Sequence, residues 1–332
     1  MQHRNWKKTL QMAISDPHEL LSKLNIEDVS LISNQANGDF PLRIPPGYLN
    51  RIKKDNPQDP LLKQVLPSVE EEHDKTGFTR DPLNENNTQV SPGLLYKYQG
   101  RVLLVLTGAC PIHCRYCFRR HFPYSDSTPS GKNLEKVINF LQKETSVTEI
   151  ILSGGDPLSV SDERLSKLVS QLAEIPHLKR LRIHTRYPVV VPERINDELL
   201  GWLTATRLQT VIVLHVNHAN ELDQSVRQAM NKLRNNNIPL FNQSVLLKGV
   251  NDSVHALVEL SETLFSYGIT PYYLHLLDPV AGASHFEVDE TSAKLLMCEV
   301  QKQLPGYLVP RLIREDVDTP HKTIISFQEF GS

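Results

Sequence analysis

Three cysteines, Cys110, Cys114 and Cys117, follow a predicted strand at C-x3-C-x2-C spacing. Thiolates are soft ligands that favour iron–sulfur clusters, zinc or copper(I). Structural zinc sites usually gather four ligands as two closely spaced pairs. This sequence offers no second pair, and His113 and His121 are the nearest further candidates. The spacing therefore favours a four-iron cluster on three cysteines, with one iron open to a ligand that is not protein, over a zinc knuckle.

A glycine pair follows the next predicted strand, at Gly154 and Gly155, with Asp156 directly after it. Two glycines at the end of a strand allow the backbone to approach a ligand closely. Alone, such a run is typical of an ordinary turn between a strand and a helix. One strand after a cysteine triad, it favours a ligand-binding loop.

Three later strands of the predicted sheet end in a polar residue, at His215, Gln243 and Asp278. The alternative for each is a hydrogen-bonded residue of the core or the rim. In barrels of parallel strands the chemistry gathers at the carboxyl ends of the strands. These three side chains are therefore candidates for the same site as the cysteines.

The elements that must position these residues begin at residue 101, where short apolar strands start to alternate with amphipathic helices. This alternation predicts an α/β fold with a parallel sheet and helices outside it. Six such units are too few to close an eight-stranded barrel, so an open partial (β/α)6 barrel fits the count. The predicted strands are 101–107, 149–153, 180–185, 209–216, 239–246 and 270–277.

The rest of the chain divides around this barrel. We predict a mainly helical N-terminal region over residues 1–95, which includes a polar, turn-rich connector at 76–93. The partial barrel is predicted over 96–285, and a short C-terminal segment over 286–332.

Composition excludes several classes of protein. The net charge of −2 leaves no basic footprint for nucleic acid. No apolar run approaches the roughly 20 residues of a membrane span, and the first residues lack the apolar core of a signal peptide. Three of the four cysteines share one loop, which favours a reducing compartment over a disulfide framework. A cytoplasmic protein is expected, with Cys298 as an inert buried thiol in a helix.

Taken together, the motifs resemble the lysine 2,3-aminomutase family. Its members combine radical S-adenosylmethionine (SAM) chemistry with pyridoxal 5'-phosphate (PLP). The resemblance runs over nearly the whole chain and is nearest to the short bacterial form that makes (R)-β-lysine for modification of elongation factor P. The segments that carry it are 59–67, 98–104, 114–120, 153–158 and 272–278.

The resemblance implies a radical SAM partial barrel and a role for each matching position. It implies that the C-terminal segment carries Lys322, the catalytic lysine that bonds PLP. Three features depart from the family pattern: Lys97 replaces an arginine, Glu315 stands where the family has an aspartate, and the usual glycine-rich stretch before Lys322 is absent. The implied assignments are Cys110, Cys114 and Cys117 for the 4Fe-4S cluster, Gly154, Gly155, Asp156, His215 and Gln243 for SAM, Lys97, Tyr98, Arg101 and Lys322 for PLP, and Arg119, Asp278 and Glu315 for substrate.

The substrate follows from charge. Arg119 corresponds to the arginine that grips the substrate carboxylate, which requires free rather than protein-bound lysine. A distal ammonium in a partly dry pocket needs carboxylate partners. Asp278 matches one family aspartate with that role, and the second falls at Glu315, with Asp316 and Asp318 as neighbouring alternatives. A glutamate-specific relative would need a cation there.

The resemblance implies a 2,3-aminomutase that converts (S)-α-lysine to (R)-β-lysine and receives electrons from a flavodoxin or a ferredoxin. It also implies a functional link to elongation factor P and its lysyl ligase. Three alternatives remain at this stage: a glutamate 2,3-aminomutase, a radical SAM enzyme without PLP, and a non-catalytic iron or zinc protein.

Overall fold

One sheet organises the molecule. The structure, a computed structural model, describes residues 6–73, 75–127, 131–317 and 319–327. The strands in these residues are β1 (Gln89–Ser91), β2 (Leu94–Tyr98), β3 (Arg101–Val105), β4 (Glu149–Ser153), β5 (Arg180–Thr185), β6 (Gln209–His215), β7 (Leu240–Val245), β8 (Thr270–His275), β9 (Arg311–Arg314) and β10 (Thr323–Ile324).

The spatial order of the strands follows their order along the chain. Neighbours from β3 to β9 pair in parallel, whereas β1 with β2, β2 with β3 and β9 with β10 pair antiparallel. Because β1 and β10 lie at opposite edges, the barrel is open, and the predicted α/β partial barrel is confirmed. The six predicted strands correspond to β3 through β8, with ends that differ by at most two residues.

At its end, the N-terminal region that we predict as mainly helical also contributes to the sheet, through strand β1 and the start of β2. A hairpin connects β2 to β3, with Tyr98 opposite Arg101 and Gly100 at a φ of +79°. Glycine adopts this left-handed conformation without strain. The predicted boundary after residue 95 falls inside β2, and the three-part division of the chain stays a prediction.

Helices cover the outside of the sheet and build the N-terminal region. No helix among the described residues is long and apolar enough to cross a membrane. In chain order the helices are α1 (Trp6–Gln11), α2 (Pro17–Lys23), α3 (Asn34–Asp39), α4 (Pro46–Leu49), α5 (Pro60–Lys63), α6 (Tyr124–Ser127), α7 (Lys132–Lys143), α8 (Asp162–Ala173), α9 (Tyr187–Val190), α10 (Asp197–Thr204), α11 (Gln224–Asn235), α12 (Val254–Ser266) and α13 (Glu290–Gln303).

Strand β5 shows how the barrel separates core from cavity. Successive side chains of a strand point to opposite faces of the sheet. Leu181 and Ile183 are fully buried in the hydrophobic core. Arg182 and His184 alternate with them and line the inner cavity. In β5 the polar side chains therefore face the cavity inside the barrel, and the apolar side chains face the core.

Candidate active site

One cavity of about 300 Å³ runs from the inside of the barrel to the carboxyl ends of its strands. Every site residue predicted from the sequence lines this cavity. They are Lys97, Tyr98, Arg101, Cys110, Cys114, Cys117, Arg119, Gly154, Gly155, Asp156, His215, Gln243, Asp278, Glu315 and Lys322. Residues from seven separate segments of the chain therefore converge on one space, although their individual roles stay predictions.

The cysteine loop is anchored by Arg115, which lies between Cys114 and Cys117. Arg115 is fully buried and donates to both carboxylate oxygens of Glu71, through Nε and Nη2, at 2.7 Å each. Its Nη2 also donates to the carbonyl oxygen of Ala36 at 3.0 Å. Because this guanidinium points into the N-terminal region, the loop turns its thiols toward the cavity.

The environment of the three thiols favours a positively charged occupant. Burial raises the pKa of Cys110 well above its ordinary value and that of Cys117 to about 11. Thiolates therefore need compensating positive charge at this wall, which the irons of a cluster supply. Arg186 already contributes one cation, since its Nη1 donates to Cys114 Sγ. Within the described residues, no three His, Cys, Asp or Glu side chains stand close enough to hold a single metal ion.

The glycine pair is required by close packing against the cysteine loop. A Cβ on Gly154, whose φ is +128°, would lie 2.5 Å from the carbonyl oxygen of Thr107. A Cβ on Gly155 would lie 2.5 Å from the carbonyl oxygen of Ala109. The backbone amide of Gly155 donates to Thr107 at 2.7 Å. The loops after β3 and β4 are thus locked together, and their backbones form one wall of the cavity.

The Asp156 carboxylate holds the end of β5 in place. It accepts hydrogen bonds from Thr185 Oγ1 at 2.8 Å and from the backbone amide of Arg186 at 2.7 Å. It also accepts from the amide of Leu158 at 3.0 Å. Burial raises the pKa of Asp156 to about 6, and these donors oppose that rise. Its carboxylate therefore positions the loop whose two glycines line the cavity.

His215 and Gln243, on the neighbouring strands β6 and β7, face each other across the sheet register. The Nε2 atom of His215 lies 2.8 Å from the hydroxyl of Tyr116, next to the cysteine loop. Burial lowers the pKa of His215 to about 3, so its ring is neutral. A neutral imidazole at this place offers a hydrogen bond without adding charge beside the thiols.

Basic side chains of β2 and β3 suit the phosphate of PLP. The guanidinium of Arg101 stacks on the ring of Tyr98 at 4.6 Å from the ring centroid. Lys97 Nζ lies 3.4 Å from Glu315 Oε1 and donates to the carbonyl oxygen of Asp316 at 2.9 Å. Phosphate is recognised by such clusters of Lys and Arg donors. The described residues therefore fit a phosphate at this end of the cavity.

The C-terminal strands bring Glu315 and Lys322 into the same cavity. Glu315 accepts a hydrogen bond from the hydroxyl of Tyr98 at 2.5 Å and is ion-paired with Lys322. Burial alone would raise the pKa of Glu315, but Lys322 and Tyr98 hold it at about 2. Burial and the nearby Glu315 charge raise the pKa of Asp278 to about 7. Asp318, one of the predicted alternatives, lies outside the described residues.

Arg119, which lines the same cavity, is buried and holds two partners. It donates to the carboxylate of Glu85 through Nε at 2.7 Å and Nη2 at 2.6 Å. Its Nη1 donates to Ser153 Oγ at 3.0 Å. The cavity thus contains an arginine and the two carboxylates of Asp278 and Glu315, a set of charges suited to an amino acid with a distal ammonium.

Comparison with known proteins agrees with this chemistry. The Radical SAM superfamily model matches residues 104–261. The chain is 48% identical over 324 residues to L-lysine 2,3-aminomutase of Haemophilus influenzae, covering 97% of this chain and 96% of the relative. It is 46% identical over 326 residues to L-lysine 2,3-aminomutase of Escherichia coli, covering 98% and 95%. The chain belongs to the lysine 2,3-aminomutase family. It is also 37% identical to L-lysine 2,3-aminomutase of Clostridium subterminale, covering 84% of this chain and 66% of that relative.

Radical SAM enzymes hold a 4Fe-4S cluster and SAM, and lysine 2,3-aminomutases also use PLP. The residues of this family member fit all three groups. Three soft thiol donors share one wall for the cluster. Gly154 and Gly155 line the cavity beside them, where SAM would bind. The amine of Lys322 and the basic side chains of β2 and β3 suit PLP.

Several residues of the family site were missed in the sequence. Burial lowers the pKa of His184 and of His275 well below the ordinary value, so both rings are neutral. Their Nε2 atoms are buried and have no hydrogen-bond partner among the described residues, which leaves them available to a ligand. The feature of the sequence that could have identified these two histidines is a polar residue that alternates with apolar residues along a strand. Arg186 and its buried partner Glu221, 2.8 Å apart, carried no comparable signal.

Proposed function

We propose that this protein is a PLP-dependent radical SAM isomerase, a lysine 2,3-aminomutase that converts free (S)-α-lysine to (R)-β-lysine. The observation that carries the proposal is the convergence on one cavity of the cysteine triad, the lysine amine and three charged groups placed for the two ends of a lysine molecule. Membership in the family supports the same reaction.

The proposed assignment of residues follows the cavity. Cys110, Cys114 and Cys117 hold the cluster. The Gly154–Asp156 loop, with His215 and Gln243, holds SAM. PLP is bound by Lys97, Tyr98, Arg101 and Lys322. The substrate is bound by Arg119, Asp278 and Glu315.

When bound, the cluster, SAM and PLP supply the radical chemistry that removes hydrogen from an unactivated carbon, which no acidic or basic side chain can do. The protein's own residues bind and orient. Arg119 receives the substrate carboxylate with a planar donor edge, and the carboxylates of Asp278 and Glu315 pair with the distal ammonium. The Lys322 amine holds and releases PLP. The barrel excludes water from these groups and fixes their geometry.

Charge argues for lysine over glutamate. A glutamate would place a second carboxylate against Asp278 and Glu315, and like charges in a partly dry pocket repel strongly. The distal ammonium of lysine instead brings a positive charge that these carboxylates attract. The acidic residues at both positions therefore disfavour the glutamate 2,3-aminomutase.

The decisive experiment is anaerobic incubation of the reconstituted protein with lysine, SAM and dithionite, followed by chiral analysis of the amino acids. Accumulation of (R)-β-lysine is expected. A parallel incubation with glutamate tests the alternative substrate. Borohydride reduction with peptide mapping tests for PLP, since a radical SAM enzyme without PLP would carry no pyridoxyl-lysine.

The proposal extends to the cellular setting. A flavodoxin or ferredoxin supplies the electron, and thiolate ligation of iron suits the reducing conditions of the cytoplasm. The product serves elongation factor P and its lysyl ligase. We also propose that the chain is divided into three parts. They are the N-terminal region over 1–95, the barrel over 96–285 and the C-terminal segment over 286–332. The similarity to short bacterial relatives supports the link to elongation factor P.

A further inference from the structure

Glu85 occupies one edge of the guanidinium that we propose for the substrate carboxylate. The pair is two-pronged, with Arg119 Nε and Nη2 each within 2.7 Å of one Glu85 oxygen. The side chains are largely buried, with exposed fractions of 6% for Arg119 and 12% for Glu85. Glu85 lies in the turn-rich connector and belongs to none of the motifs that identified the site. Its carboxylate nevertheless lines the same cavity.

The donors of Arg119 can be counted. A guanidinium carries five N–H groups and no acceptor. Glu85 takes one on Nε and one on Nη2, and Ser153 takes one on Nη1. Within the part of the chain that the structure describes, two N–H groups remain without an acceptor, one on each terminal nitrogen. Two donors on neighbouring nitrogens are what a second carboxylate needs for a two-pronged contact. Arg119 can therefore hold Glu85 and a substrate carboxylate at the same time.

Glu85 is itself held firmly. Its backbone amide donates to Asp81 Oδ1 at 2.9 Å, and the amide of Asn86 donates to Asp81 Oδ2 at 3.2 Å. Upstream, the amide of Thr79 donates to the carbonyl oxygen of Pro279 at 2.8 Å, next to Asp278. The connector thus joins the loop of Asp278 to the guanidinium of Arg119. A fixed carboxylate can orient an arginine, because it removes most of the rotamer freedom of that side chain before a ligand binds.

We propose that Glu85 is a positioning residue: it fixes the Arg119 guanidinium by one edge, so that the remaining edge meets the substrate carboxylate. This inference rests on the proposed function, in which Arg119 binds that carboxylate. Without Glu85, Arg119 keeps its charge but loses its orientation. Glu85 would then contribute to recognition of the carboxylate specifically, and not to recognition of the distal ammonium.

The test compares lysine with lysinamide, which keeps both amines but lacks the carboxylate. Dissociation constants are measured by anaerobic calorimetry on the reconstituted holoenzyme for the wild type, Glu85→Gln and Glu85→Ala. Asn86→Ala is the control, since Asn86 is an exposed neighbour in the same turn. The amide of Glu85→Gln keeps one acceptor and directs its NH2 against a guanidinium donor, so this variant disturbs the pair with little change of shape.

We expect Glu85→Ala to weaken lysine binding by about ten- to a hundredfold, the range for hydrogen bonds to charged groups. Glu85→Gln should fall between Glu85→Ala and the wild type. Lysinamide binding should change far less in both variants, and Asn86→Ala should match the wild type. The preference for lysine over lysinamide therefore collapses only when Glu85 is changed.

Two results would overturn the inference. Tighter lysine binding in Glu85→Gln would make Glu85 a competitor of the substrate. If the Glu85 variants bound lysine and lysinamide more weakly by the same factor, the role of Glu85 would be purely structural. A wild type that binds both ligands equally would instead remove the Arg119 contact from the proposed function, and the role of Glu85 with it. The wild-type ratio thus separates the two failures.

Discussion

The ammonium of Lys322 is ion-paired with the carboxylate of Glu315, seven residues earlier in the chain. The two residues lie in the connection between β9 and β10 and reach the cavity from the open edge of the sheet. Glu315 thus compensates the charge of the free lysine. When the Lys322 amine is bonded to PLP, as we propose, Glu315 still has Tyr98 and Lys97 as partners.

This pairing leads to the first prediction. Replacing Lys322 with alanine removes the amine that we propose for PLP, so activity should fall to the level of protein without PLP. Borohydride reduction and peptide mapping of wild-type protein should place the pyridoxyl group on the peptide that contains residue 322. Lys248→Ala, at an exposed lysine, is the matched control and should keep the label. A labelled Lys322→Ala protein would assign PLP to another lysine.

The second prediction concerns the cysteine loop. Cys114→Ala removes one of three soft ligands, so reconstituted protein should lose most of its iron and sulfide and show no electron paramagnetic resonance signal after reduction. Cys298→Ala is the control, because Cys298 is buried in α13 and does not line the cavity. It should bind iron like the wild type. Full iron loading of Cys114→Ala would refute the cluster assignment.

Much of this arrangement was accessible from the sequence because its signals are local. The cysteine spacing, the Gly154–Gly155 pair and the apolar runs of β3 to β8 each occupy one short segment. In a parallel barrel, residues that end neighbouring strands must meet at one edge of the sheet. His215 and Gln243 therefore lie in one cavity, as the strand order requires.

The missed features are those that depend on contacts between distant segments. Glu85 and Arg119 are 34 residues apart, and neither the turn-rich connector nor the spacing indicates that they touch. Strand β10 has two residues and exposes Ile324, so no run of apolar residues announces it. His184 was hidden because a polar residue on the inner face of a strand looks the same as one on a solvent-facing strand.

The third prediction tests the packing of the glycine loop. In Gly155→Ala the new Cβ would meet the backbone of the cysteine loop at 2.5 Å, which no side-chain rotation relieves. We expect a loss of about 1–3 kcal/mol in the free energy of unfolding. Gly201→Ala is the matched control, since Gly201 lies inside α10 with nothing within 4 Å of the added Cβ. Because alanine has a higher helix propensity than glycine, Gly201→Ala should raise the free energy of unfolding by as much as about 1 kcal/mol. Urea unfolding followed by circular dichroism measures both, and equal stability of the two variants would contradict the packing argument.

The fourth prediction is a pH dependence of lysine binding set by Asp278. Burial and Glu315 place its pKa at about 7, whereas the pKa of Glu315 is about 2. Only ionised Asp278 can pair with the substrate ammonium. Below pH 7 lysine binding must therefore displace a proton from Asp278, which weakens binding. Above pH 7 Asp278 is already ionised and this cost is absent. Because the apparent dissociation constant is the intrinsic one divided by the ionised fraction, it should fall about tenfold from pH 6 to pH 8.

Two variants assign this pH dependence to one carboxylate. Asp278→Asn should bind lysine weakly and equally at pH 6 and pH 8, since its side chain cannot ionise. Glu315→Gln should also bind weakly and keep a dependence on pH, because Asp278 still titrates, but the dependence should move to lower pH since loss of the Glu315 charge lowers the pKa of Asp278. The pH dependence of stability has the opposite sign to that of binding. The folded chain holds a proton on Asp278 that the unfolded chain releases near pH 4, so ionisation destabilises the fold as pH rises from about 4 to about 7. Asp278→Asn should therefore gain stability relative to the wild type at pH 8 compared with pH 5. A wild-type dissociation constant that does not change between pH 6 and pH 8 would remove Asp278 from the ammonium site.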